Sequence, residues 1–353
     1  MASEQPIPVT MVTGFLGAGK TTLLNHLLGQ PDLDGTLAII NEFGEIGLDH
    51  LLLEVTDERM ALLDNGCVCC TVREDLVQTL LEANQKRIAG ELNFNRVILE
   101  TTGLADPAPI LHALMAHPEL EEQFEIETVI SLVDATSGAQ TLRTHDEAKK
   151  QLACADQVIL TKTDIARPDQ TASTKGLIED LNPTAQLHIV RNGDVASAQL
   201  FNRAYGTKSR DAKDYAGWME ADHEHQCDAH CDHEHHRHDG IATYAFTSDQ
   251  PVDWMLFREW LDNLAALKGA DLLRMKGIVN ITEDADRPMV VHGVQHVFHR
   301  PKQLNNWPSD DRRTRLIFIV KNITLDTIER TLIKFAQLEP ARLSARTLGG
   351  ASH

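Results

Sequence analysis

The chain has 353 residues, 42% of them hydrophobic and 24% charged, enough for about two domains of ~150 residues with real cores. Lys and Arg number 33 against 52 Asp and Glu, a formal charge of −19. That balance argues against a partner held by its phosphate backbone, so no nucleic acid is expected, and it suits a protein that handles cations. No run reaches the ~18 apolar residues of a membrane span. Met-Ala-Ser-Glu-Gln-Pro at the start has neither the basic nor the apolar region of a signal peptide, so a cytoplasmic protein with no membrane partner is expected.

Short Val/Ile/Leu runs alternate with helical patterns through the first half, the pattern of βαβ units in a parallel sheet. Strands are expected at Ile7–Thr13, Thr36–Asn41, Met60–Leu63, Arg96–Glu100, Thr128–Val133, Gln157–Thr161 and Gln186–Val190. Most are continuous apolar runs, which marks strands covered on both faces. Helices are expected near Thr21–Leu28, Val72–Ala89, Ala108–Ala116 and Asp169–Leu181. Apolar periodicity stops at Tyr205 and Asp, His, Lys and Arg take over as far as Asp239, which reads as a linker. Beyond it come a strand from Ile241, a helix over Asp253–Lys268, strands at Leu272–Ile281, Met289–Gln295 and Arg315–Val320, and a helix from Leu325 to about Gln337. The expected organisation is an α/β domain over 1–204, a linker over 205–240, a smaller α+β domain over 241–340 and a tail over 341–353.

Gly14-Phe-Leu-Gly17-Ala18-Gly19-Lys20-Thr21 matches the phosphate-binding pattern G-x-x-x-x-G-K-[ST], with Thr22 opening the helix behind it. The glycines let backbone N–H groups turn inward on phosphate oxygens at a helix N-terminus. Lys20 would reach the β- and γ-phosphates, and the Thr21 hydroxyl would ligate Mg²⁺. Glu100, at the end of an expected strand, would hold Mg²⁺ directly or through water, and the Gly103 N–H would meet the γ-phosphate. Thr161-Lys162-Thr-Asp164 resembles the base-reading element of GTPases. There the carboxylate takes two N–H bonds from guanine while the lysine stem covers the ring, a pairing that adenine cannot match. Asn41-Glu42-Phe-Gly-Glu45-Ile-Gly-Leu-Asp49 follows the second strand, where a nucleotide-sensing switch is expected, with Glu42 a candidate for Mg²⁺.

Three of the six cysteines, Cys67, Cys69 and Cys70, lie within four residues, too tight for a disulfide framework. Thiolates are the soft ligands that Zn²⁺, Co²⁺ or Cu⁺ prefer, and three sulfurs need one more ligand for a tetrahedron. Glu45, His117 or a partner protein are the candidates for it; a redox-active thiol pair is the other chemical reading. Seven of the 17 histidines fall between His223 and His238. His223, His225, Cys227, His230, Cys231, His233 and His235 would form a weak accessory metal-binding tract.

Together these residues resemble the CobW-type metallochaperone GTPases, in particular their YjiA-like branch, relatives of UreG and HypB. The likeness rests on Gly14–Thr22, Asn41–Gly44, Gly66–Cys70, Glu100–Pro107, Leu132–Ala135 and Thr161–Asp164. In the second domain it rests on Leu272-Leu-Arg-Met-Lys-Gly-Ile and Gly293-Val-Gln. It implies a P-loop NTPase fold with a C-terminal domain that shapes client choice. It also implies slow GTP hydrolysis with Mg²⁺, a Zn²⁺, Co²⁺ or Ni²⁺ cargo at the cysteines, and delivery to a client metalloprotein. A nucleotide- or metal-dependent homodimer is compatible with it. Ile40 stands where some YjiA-like members carry an acid. A P-loop small-molecule kinase with structural cysteines and a non-catalytic metal buffer are the rival readings.

Overall fold

The protein is described here from a computed structural model, covering residues 6–40, 60–62, 71–191, 194–201, 240–298 and 300–348. The chain divides into two units, Met1–Leu177 with Ala185–Thr207, and Ile178–Thr184 with Lys208–His353.

The first unit is built on seven parallel strands: β1 (Ile7–Gly14), β2 (Thr36–Ile40), β3 (Met60–Leu62), β4 (Arg96–Glu100), β5 (Phe124–Asp134), β6 (Gln157–Thr161) and β7 (Gln186–Ile189). Their order is β3-β2-β4-β1-β5-β6-β7. Every residue of β2, β4 and β6 is buried, as continuous apolar runs demand when helices cover both faces. Two polar strand residues are buried because they are paired. Arg96 meets Glu127 and lies 4.8 Å from the Phe201 ring centre, and Gln157 donates to the Thr128 hydroxyl at 3.1 Å.

The expected helices form at Lys20–Leu28, Thr71–Ile88, Ala108–Ala116 and Pro168–Leu181. Four short helices were not legible in the sequence: Pro118–Gln123, Gly138–Thr144, Asp146–Ala153 and Ser197–Leu200. β5 also starts at Phe124, four residues before the expected Thr128.

Strand order decides where chemistry can occur. β1 lies between β4 and β5, with β6 beyond β5. Pairing sets Val12 beside Glu100, Gly14 beside Leu132, and Asp134 beside Thr161. The carboxyl ends of four neighbouring strands therefore share one edge, the place where open α/β sheets bind ligands.

The second unit is an antiparallel sheet with helices on one face, the expected α+β arrangement. Its strands are β8 (Ile241–Ser248), β9 (Leu272–Ile281), β10 (Asp284–Val294), β11 (Val297–Phe298), β12 (Lys302–Gln303), β13 (Thr314–Lys321) and β14 (Leu343–Leu348). They run β11-β10-β9-β13-β8-β14, with β12 paired to β10. β14 corrects the reading of 341–353 as a tail: it pairs with β8 from Leu343 beside Ser248 to Leu348 beside Thr243.

Helices Trp254–Lys268 and Leu325–Phe335 are capped by Asp253 and Thr324, whose side chains accept the N–H groups of Leu256 and Thr327. Between helices and sheet lie Phe257, Trp260, Phe246, Phe318, Ile328 and Leu332. Trp260 meets Phe318 edge to face at 6.1 Å. No helix among the described residues is long and apolar enough to cross a membrane.

Trp260 is 2% exposed, and its indole N–H has no hydrogen-bond partner among the described residues. Trp260→Ala should destabilise the second unit by about 3–5 kcal/mol. Trp260→Phe, which keeps most of the contact and removes the unpaired donor, should cost much less. Denaturant unfolding checks this; equal losses in the two variants would contradict the packing described.

Candidate functional site

The phosphate loop joins β1 to helix Lys20–Leu28. Gly14, Gly17 and Gly19 have φ of 141°, 72° and 98°, conformations that side chains rarely adopt. Gly14 has a second constraint, since a Cβ there would stand 2.6 Å from the carbonyl oxygen of Leu132. At Gly17 nothing among the described residues lies within 4 Å of the Cβ position. The Lys20 ammonium turns back over the loop, donating to the carbonyls of Gly14 at 3.0 Å and Phe15 at 3.4 Å. Thr21 is half-buried in the first turn, and Thr22 is exposed behind it. The donor set fits a nucleotide phosphate chain, with backbone N–H groups, an ammonium and a hydroxyl all at one helix start.

The segment after β4 lies against this loop. Thr101 N–H donates to Val12 O at 3.0 Å, and its hydroxyl meets that of Thr13 at 2.8 Å. A Cβ on Gly103 would come within 2.7 Å of the Leu16 nitrogen. Glu100 is buried at the end of β4, between Val12 of β1 and Ile40 of β2. Helix Asp146–Ala153 holds the far side of the segment. Gln151 donates to the carbonyls of Gly103 and Ala105, and the Lys150 ammonium lies 2.8 Å from Asp106. Burial works to lower the pKa of Lys150, but the hydrogen bond and charge of Asp106 outweigh it and hold the amine above its ordinary range.

The segment Thr161–Asp164, expected from its sequence to read the base, begins at the end of β6. The Thr161 hydroxyl donates to Ala18 O at 2.8 Å, so this threonine ties the segment to the phosphate loop. Lys162 has φ of 57°, a left-handed turn uncommon outside glycine. Its ammonium lies 2.7 Å from Asp134 at the end of β5. Asp134 also accepts the Thr136 N–H at 2.7 Å and the Thr136 hydroxyl at 2.6 Å. Burial pushes its carboxyl up, but Lys162 and Thr136 outweigh burial and hold it below the ordinary carboxylate range. Asp164 is exposed and its carboxylate has no protein partner among the described residues. The sequence reading gave Asp134 no role; the pairing with Lys162 gives it one, as the group that orients the lysine.

The metal candidates are split. Glu42, Glu45, Cys67, Cys69 and Cys70, and the tract from His223 through His225, Cys227, His230, Cys231 and His233 to His235, lie outside the described residues. Among the described residues no group of three His, Cys, Asp or Glu side chains could hold a metal ion. His117 stands between helices Ala108–Ala116 and Pro118–Gln123, and its Nδ1 is buried with no partner among the described residues. Ile40 is 1% exposed at the end of β2, in the apolar core with Val12 and Ile98, so position 40 itself supplies no carboxylate.

Comparison with known proteins agrees with this arrangement. Residues 8–189 match the CobW/HypB/UreG nucleotide-binding domain, and residues 241–336 match the cobalamin synthesis protein cobW C-terminal domain. The zinc chaperone YjiA of Escherichia coli is 30% identical over 318 residues, covering 89% of this chain and 94% of that protein. The zinc chaperone CobW of Pseudomonas aeruginosa is 31% identical over 363 residues, covering 94% of this chain and 92% of its own. A Zn(II)-bound structure of a triple mutant of the YjiA GTPase has 25% identity and a TM-score of 0.66, covering 94% of this chain and 99% of that one. With a P-loop NTPase unit followed by the matching C-terminal domain, the chain belongs to the CobW/HypB/UreG family.

Proposed function

We propose that this chain hydrolyses GTP and uses the reaction to gate the binding of a transition metal, Zn²⁺ first, and its transfer to a client protein. The observation that carries the nucleotide half is the join between the base-reading segment and the phosphate loop. Thr161 bonds Ala18 O, and Lys162 is braced by Asp134. A purine held by Lys162 and Asp164 is thus held in register with phosphates on Gly14–Thr22. The carboxylate of Asp164, exposed and without a partner among the described residues, suits the paired N–H donors of guanine.

In the reaction Lys20 leaves the loop carbonyls for the β–γ bridge, where negative charge grows as the terminal phosphoryl departs to water. The Ala18 N–H is taken by Phe15 O at 3.1 Å, so the N–H groups of Gly17, Gly19, Lys20 and Thr21 would hold the phosphate oxygens, and a loop set in advance leaves little reorganisation for the moment of transfer. Mg²⁺, when bound through Thr21 and Glu100 with Glu42 as a further candidate, would supply the remaining charge neutralisation. Gly103 senses the γ-phosphate through its N–H.

The cargo half is supported by the Cys67-Val-Cys69-Cys70 thiols, by the zinc-chaperone names of the relatives, and by the Nδ1 of His117, buried and without a partner among the described residues. Cys67, Cys69 and Cys70 would carry the ion, with Glu45 or His117 as further ligands and the His223–His235 tract as a weak accessory store. Co²⁺ and Ni²⁺ suit the same donors, so availability in the cell chooses among the metals.

Two outcomes are expected. GTP should bind far more tightly than ATP and be hydrolysed with water as the only acceptor. Asp164→Asn should weaken GTP by about 1.5–3 kcal/mol per lost bond without unfolding the chain, as read by nucleotide titration and circular dichroism. Equal affinity for ATP and GTP would contradict the assignment of Asp164, and turnover only with an added acceptor would point to a kinase. For the metal, Co²⁺ should give sulfur-to-metal charge-transfer absorption that Cys69→Ala abolishes. The same spectrum from the variant would remove Cys69 from the ligand set.

A further inference from the structure

Gln151 is fully buried on helix Asp146–Ala153 and belongs to no nucleotide-binding motif. Its Nε2 donates to Gly103 O at 3.1 Å and to Ala105 O at 3.0 Å. A primary amide has two N–H bonds, and here both go to one loop. The opposite orientation would set Oε1 against two carbonyl oxygens, so the chemistry fixes which end of the amide faces the loop. Oε1 has no hydrogen-bond partner among the described residues. An apolar side chain of the same length would avoid that desolvation cost. Packing alone therefore does not account for an amide at this place.

The loop is anchored at both ends without it. Thr101 is bonded to Val12 and Thr13 of β1. Asp106 is bonded to Lys150 and accepts the Ala108 N–H at 3.0 Å. Between the anchors, among the described residues, the backbone makes one turn bond, from Ala105 N–H to Thr102 O at 3.2 Å. Gly103 in that turn has the widest conformational choice of any residue type. Packing against the Leu16 backbone limits where Gly103 sits, and Gln151 fixes which way its carbonyl and that of Ala105 point.

We propose that Gln151 is a positioning residue for the γ-phosphate: it holds the Gly103 turn in the one conformation that presents the Gly103 N–H, and so sets the preference for GTP over GDP. The inference rests on the GTPase reading above. GDP has no phosphate at that N–H, so loss of the two bonds should be felt mainly by the triphosphate.

The test uses the full chain with Mg²⁺, titrating GDP and a non-hydrolysable GTP analogue against the parent, Gln151→Met and Gln151→Glu. Gln151→Met keeps the length and removes both donors. It should weaken the GTP analogue about ten-fold and GDP less than about two-fold. In Gln151→Glu an ionised carboxylate would repel the two carbonyls, whereas a protonated one donates a single bond. A buried carboxyl titrates high, so analogue affinity should partly recover between about pH 8 and about pH 6, relative to the parent. That trend keeps the proposal testable if Gln151→Met does not fold. Equal losses for GDP and the analogue, or a Gln151→Glu profile parallel to the parent's, would overturn the proposal and leave the GTPase reading intact. A parent that bound neither nucleotide would overturn both.

Discussion

Two backbone segments meet the phosphate loop more closely than any side chain allows, and the nucleotide face depends on that approach. A Cβ on Gly14 would strike the Leu132 backbone of β5, and one on Gly103 would strike the Leu16 backbone. The loop is therefore wedged between the end of β5 on one side and the segment after β4 on the other. Such contact transmits small displacements, because close-packed backbone has few ways to yield. A shift of the Gly103 turn must be taken up by Leu16, which lies inside the glycine loop between β1 and helix Lys20–Leu28.

The order β4-β1-β5-β6 makes this arrangement unavoidable. Each strand end contributes one part: Glu100 from β4, the glycine loop from β1, Asp134 from β5 and Thr161 from β6. Pairing of Asp134 with Thr161 across β5 and β6 sets the carboxylate beside the left-handed turn at Lys162. The Lys162–Asp134 bond offsets the cost of that turn. The helix carrying Lys150 and Gln151 closes the far side, and Phe15 of the phosphate loop lies 4.6 Å from the ring of His145 just before it. A metal gate would sense the γ-phosphate through the same contacts, since the Gly103 turn and the loop cannot move independently.

Much of this could be read from residue patterns, and the exceptions have physical causes. The seven parallel strands were legible because strands covered on both faces need unbroken apolar runs, and the loop because G-x-x-x-x-G-K-T is dense in special residues. Helices Gly138–Thr144 and Asp146–Ala153 were not: helices this short take their stability from packing rather than propensity. The buried residues Lys149 and Gln151 also give a surface-like pattern. β14 was missed because an edge strand is half covered, and Leu-Ser-Ala-Arg-Thr-Leu alternates too weakly to stand out from a tail. Asp134 had no assigned role because its partner is 28 residues away in the sequence, and only the pairing of β5 with β6 brings the Lys162 ammonium to it. Nor does the pattern Thr161-Lys162-Thr-Asp164 show that the Thr161 hydroxyl makes the bond to Ala18 O, a contact between segments 143 residues apart.

The central claim is that nucleotide state and metal affinity are coupled, and it is tested most directly by competing the protein against a chelator for Zn²⁺. The titration is run with the chain loaded with GDP and again with a non-hydrolysable GTP analogue and Mg²⁺. The account predicts tighter Zn²⁺ in the triphosphate state, by about 1–3 kcal/mol, with the analogue tightened by the same factor when Zn²⁺ is bound. Equal Zn²⁺ affinities in the two states would contradict it, leaving a GTPase and a metal site on one chain with no cycle joining them.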